Sequence, residues 1–188
     1  MAMRVAALLL TLLSGSMAAQ GVADGRFPTV EEALALAFPE CRIERSTEFL
    51  TEAELERVHE LAGCEAGTRV ARPYLATRDG KPAGTAWIDA HRVRTKKEVL
   101  MIVLDPQDRI TRVEVLAFAE PLDYLPRGSF YAQFQGKRQG DPLEIGRGVR
   151  GVAGATLSAQ AASEAARRTL AVQRVLRERP EPAPSGAR

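Results

Sequence analysis

Apolar and polar residues repeat with two different periods along this chain, and the change falls near residue 69. Before it, Leu34 and Ala37, then Leu55, Val58, Leu61 and Ala62, recur at the three- and four-residue spacing of a helix face. Thr29 with Glu32 and Thr51 with Glu54 read as capping boxes for two helices. Pro39 stops the first helix, and Gly63 ends the second. Beyond residue 69 the runs become extended. Val70 to Thr77 predicts a strand, Asp79-Gly80 a turn, and Gly84 to Ile88 a second strand. Val99 to Leu104 is nearly all apolar, as a strand buried on both faces requires. Asp105-Pro106-Gln107-Asp108 turns the chain into Ile110 to Phe118, which alternates in places, so these two runs read as a hairpin.

Residues 119–150 are rich in glycine and proline, with Tyr124, Phe130, Tyr131 and Phe134 interleaved. A loop of that length in a small domain points to function, and its aromatics argue against a disordered linker. A last helix is expected from about Ser158 to Arg177. Ala161, Ala165, Val172, Val175 and Leu176 would face the sheet, with Arg167, Arg168, Arg174 and Arg177 toward solvent. The pattern predicts one α+β domain, an antiparallel sheet with flanking helices. Its parts are an N-terminal helical segment (20–68), a core (69–177) and a disordered tail (178–188).

Residues 1–19 stand apart. Arg4, an apolar run from Val5 to Leu13, and the small residues Ser14 to Ala19 follow the order of a secretory signal peptide, too short for a membrane span. An exported protein, periplasmic or otherwise extracytoplasmic, is therefore expected. Removing the signal takes away one charge and leaves 25 basic against 24 acidic residues, a balance that gives no case for nucleic-acid binding. An oxidising compartment favours a disulfide between Cys41 and Cys64, tying the two N-terminal helices together, over two buried thiols. Neither His59 nor His91 has ligand spacing to these cysteines, so no metal site is expected.

The chemistry concentrates in Gly151-Val152-Ala153-Gly154-Ala155-Thr156-Leu157-Ser158. Gly151 and Gly154 permit positive φ and a close backbone approach to a bulky group. Ser158 or Thr156 can cap the helix that follows, and the helix start favours a phosphate beside the Thr156 hydroxyl. The plain alternative is an ordinary capped turn. No catalytic triad or acid–base pair is evident, so no catalytic residue is assigned.

Gly154-Ala155-Thr156-Leu157-Ser158 resembles the flavinylation motif of the FMN-binding domain family, which includes covalent-flavin subunits of sodium-pumping quinone reductases and Rnf-type complexes. Likeness extends over roughly residues 70–177, including Trp87 to Arg94 and Phe118 to Tyr124. The family pattern carries an acidic residue where this chain has Arg150, and a serine or threonine where it has Ala153. The resemblance implies FMN joined by a phosphoester to Thr156, attached by a flavin transferase. It also implies electron exchange with membrane-bound or exported redox partners. Arg150, His91, Arg92 and Arg94 would then serve the phosphate or a reduced flavin, with Glu120 and Glu98 holding the arginines. Tyr124, Phe130, Tyr131 and Phe134 are the candidates for ring contacts. Two other readings stay open: reversible binding of FMN or another phosphorylated ligand, and a structural or interaction domain without cofactor.

Overall fold

The computed structural model describes residues 26–180; the expected signal peptide, residues 1–19, and the tail beyond residue 180 lie outside them. Helix α1 (Val30–Ala37) leads into β1 (Arg42–Arg45) and β2 (Glu48–Phe49), followed by α2 (Glu52–Ala62). Then come β3 (Val70–Ala71), β4 (Tyr74–Arg78), β5 (Lys81–Val93), β6 (Lys96–Leu104) and β7 (Ile110–Phe118). A short α3 (Gly128–Tyr131), β8 (Glu144–Ile145), β9 (Gly148–Val149) and the long α4 (Thr156–Arg177) complete the order.

The expected α+β architecture is present. Five strands pair antiparallel in the order β1-β4-β5-β6-β7, with helices on both faces. Both capping boxes form, through Thr29 with Glu32 and Thr51 with Glu54. Strand β6 is buried on both sides, because Leu100, Ile102 and Leu104 join the core cluster that holds α2 and α4 while Met101 and Val103 join the one that holds α1. Several expectations change. The segment read as helical also supplies the edge strand β1. The run from Val70 to Thr77 is broken at Arg72-Pro73, since proline lacks the N–H a ladder needs. The start of the expected tail is fastened, with Arg179 reaching Glu54 at 2.7 Å and Glu48 at 2.8 Å.

The disulfide is corrected. Both cysteines are free thiols. Cys41 packs with α1 on one face of the sheet, and Cys64 packs with α2 and α4 on the other. The two helices they were expected to join are separated by the sheet itself. Burial raises the Cys64 thiol pKa, although Arg168 and Arg167 stand beside it.

Gly84 marks where α1 closes on the sheet. Its φ is +151°, and a Cβ there would overlap the Leu104 carbonyl oxygen and lie 2.8 Å from Phe38 Cε1. Gly84→Ala should therefore destabilise the protein by about 2–4 kcal/mol in denaturant unfolding; a loss well under ~1 kcal/mol would show that the Leu104 backbone and Phe38 both shift freely, against the close approach described. A strong reducing agent should leave the melting temperature unchanged, whereas a drop of several degrees would restore the disulfide.

Candidate functional site

Thr156 is the first residue of α4, and its side chain is exposed. The residue at the N-cap is Ala155, whose methyl group accepts nothing, so no side chain caps this helix. The first helical hydrogen bond runs from Ala159 N to Ala155 O at 2.9 Å, leaving the amides of Thr156, Leu157 and Ser158 ahead of it. The expected caps are thus replaced. Thr156 and Ser158 both lie inside the helix, and Ser158 is buried. Gly154 takes φ +81°, and a Cβ there would meet nothing within 4 Å, so the space beside this glycine is open. Gly151 does not adopt positive φ; its role is space, because a Cβ would lie 3.1 Å from Ile145 Cγ2 of β8. Leu157, next to the threonine, is 51% exposed.

The loop entering this turn is held from outside. Gln133 accepts from Arg150 N at 2.9 Å and donates from Nε2 to Arg150 O at 3.2 Å, so one side-chain amide mimics a strand partner. Arg150 itself is exposed.

The other residues singled out from the sequence divide into two groups, neither arranged as expected. His91 is inside the molecule, between the sheet and α4. Its Nδ1 stands 2.8 Å from Asp89 Oδ1 and its Nε2 2.9 Å from Glu98 Oε2. Arg168 of α4 donates to Asp89 at 2.8 and 2.9 Å, and Tyr131 donates to Glu98 at 3.3 Å. Burial disfavours the charged imidazole, but hydrogen bonds and charge from Asp89 and Glu98 outweigh it and hold the His91 pKa at about 9. For Asp89, burial is outweighed by bonds from His91 and Arg168, and its pKa sits at about 2. Arg168 is therefore a buried partner of Asp89 and not a solvent-facing residue.

The second group forms the tip of the β5–β6 hairpin. Arg92 and Arg94 are exposed, and Arg94 lies over the Tyr124 ring at 5.1 Å from its centroid. Glu120 does not pair with either arginine; it accepts from the backbone N–H groups of Thr95 and Lys96, each at 2.9 Å, and these bonds lower its pKa. Phe134 is fully buried, and Phe130 packs edge-on against both Tyr131 and Phe134. Of the four loop aromatics, only Tyr124 presents surface.

Asp89, Glu98, Arg168 and Gln133 carry more of the structure than their sequence context suggests. The signal for Arg168 was present, since Ala161, Ala165, Arg168 and Val172 follow one helical stripe. Trp87, Asp89 and His91 likewise share one face of a strand. Among the described residues no group of three or more histidine, cysteine or acidic side chains is placed to hold a metal, and no helix is long and apolar enough to cross a membrane. Compared with known proteins, the chain matches no family model, no curated protein and no solved structure.

The imidazolium makes a pH prediction. Its folded pKa of about 9 lies above the usual 6.5, so its stabilisation is complete below pH 6.5 and is lost as pH rises through 9. Unfolding free energy should fall by about 1–3 kcal/mol across that interval, and His91→Gln should flatten the decline. A wild-type profile without that decline would contradict the doubly bonded imidazolium.

Proposed function

We propose that this chain is an exported flavoprotein of the FMN-binding domain family, carrying electrons through FMN joined by a phosphoester to Thr156. The observation that carries the reading is Thr156, exposed at the first position of a 22-residue helix whose N-terminus no side chain caps. A phosphate there meets the positive end of the helix dipole and amides that precede the first helical bond. Open space at Gly154 and the small side chains of Ala153 and Ala155 leave room for it. The residues present therefore fit the phosphate end of the cofactor. Leu157 gives apolar surface beside the attachment point, and Tyr124 is the loop aromatic left with an accessible ring.

Flavin supplies the electron chemistry when bound, while the chain anchors and surrounds it. A covalent tether suits an exported carrier, because a lost cofactor is not readily replaced outside the cytoplasm. A flavin transferase would recognise the loop from Arg150 to Thr156. Arg150 departs from the acidic residue of the family pattern, and its exposed guanidinium also suits a reversibly bound phosphate.

Co-expression with a flavin transferase should give protein whose flavin fluorescence survives denaturing electrophoresis, with the modification mapped to the peptide containing Thr156. Thr156→Ala should lose that fluorescence completely while keeping its fold, and Thr156→Ser should retain an acceptor oxygen. Covalent FMN on the alanine variant would remove the site assignment. Arg150→Asp should raise the modified fraction if the arginine hinders docking; an unchanged yield would reject that explanation.

A further inference from the structure

The β5–β6 hairpin and the start of α4 lie toward the same end of the molecule. Gln173 of α4 accepts from Trp87 of β5 at 3.1 Å, and Arg168 meets Asp89, so moving toward the helix start means moving along β5 toward its tip. From Arg168 back to Thr156 is roughly 18 Å of helix, and from Asp89 to Arg94 roughly 17 Å of strand.

That tip is cationic. Arg92, Arg94, Lys96 and Lys97 are all exposed, and none of them lies within 4 Å of a carboxylate among the described residues. Two features run against stability. Arg92 stands directly opposite Lys97 in the β5–β6 register, a like-charge pair that disfavours the hairpin. Arg94 adopts φ +52° in the turn, where glycine, asparagine or aspartate is favoured. Glu120, the nearby acid, is committed to the backbone of Thr95 and Lys96. Beside the cations, Leu122 is 63% exposed and Tyr124 37% exposed. The protein as a whole has a net charge of only +2, so these cations are a local concentration.

We infer that this end of the molecule, the Arg92–Lys97 hairpin tip with Leu122 and Tyr124, is the docking face for an acidic protein surface. Resting on the electron-carrier reading, it assigns the class of redox partner: one whose own centre is ringed by carboxylates. A small apolar centre with a charged collar suits a transient encounter, steered by charge and readily released. An anionic membrane is the poorer fit, because at the hairpin tip itself the apolar surface is Leu122 and part of Tyr124, and Arg94 covers one face of that ring.

The test is amide shift mapping on the whole isotopically labelled protein, with and without flavin. The probes are a plant-type ferredoxin, which is a small acidic electron carrier, and phosphatidylglycerol vesicles set against phosphatidylcholine ones. Ferredoxin should shift residues 92–97 and 120–124, and raising salt from about 20 to about 300 mM should abolish the effect. Lys96→Gln/Lys97→Gln should weaken binding about fivefold with a melting temperature equal to or above that of the wild type, because the repulsion between Arg92 and Lys97 is relieved. Shifts confined elsewhere, no shifts, or affinity indifferent to the double variant would overturn the assignment. So would binding of phosphatidylglycerol vesicles without binding of ferredoxin. Because the readout needs no flavin, a protein that proves flavin-free would sink the carrier reading and leave the docking result to be judged separately.

Discussion

The contact between Arg168 and Asp89 fixes how α4 lies on the sheet, and most of the site follows from it. Both charges are largely withdrawn from water, which costs several kcal/mol per ion unless each is paired and hydrogen-bonded. Here the pairing is complete, because Asp89 also receives His91, and His91 in turn reaches Glu98. Two carboxylates face two cations in one enclosed chain of contacts, with the Tyr131 hydroxyl completing Glu98. A one-residue slip of β5 would turn Asp89 and His91 to the opposite face and leave Arg168 buried alone. The network thus specifies register as well as holding layers together. Gln173, bonded to both Trp87 and Asp108, repeats the same constraint nearer the end of the helix.

With α4 pinned at two points, its first turn has a defined position, and the loop before it is constrained separately by Gln133. The result is a threonine hydroxyl presented on rigid structure, at a helix start left without a cap. An alanine at the N-cap gives up about 1 kcal/mol relative to serine, threonine or aspartate. Under the proposed function, the phosphate would take the place of the missing side-chain oxygen. The aromatic loop supports this arrangement from beneath: Phe130, Tyr131 and Phe134 fill the core under the sheet and set the position from which Gln133 reaches Arg150.

Much of the fold was legible in the residue pattern. Capping boxes, the doubly buried run of β6 and the turn at Asp105 to Asp108 are local signals, and local chemistry decided each of them. What escaped depended on long-range placement. Cys41 and Cys64 invite pairing as long as both helices are imagined side by side; the strand β1 carries the chain around the sheet edge and separates them. His91, Arg92 and Arg94 look like one basic cluster in sequence, yet strand alternation sends His91 inward to two carboxylates and Arg92 outward. Arg168 looked solvent-facing because arginine usually is, although its place on the apolar stripe of α4 pointed inward. For the motif itself, the hydroxyl was rightly expected at a helix start, but with caps that α4 does not use. Gly154 met the expected conformation, and Gly151 turned out to be small for a packing reason.

The most direct measurement is a crystal structure of the protein purified from cells that also make a flavin transferase. Continuous density is expected from Thr156 Oγ1 through a phosphate to a flavin, with the phosphate at the first turn of α4. A flavin held elsewhere, or a fully occupied cofactor with Thr156 unmodified and remote from it, would contradict the account.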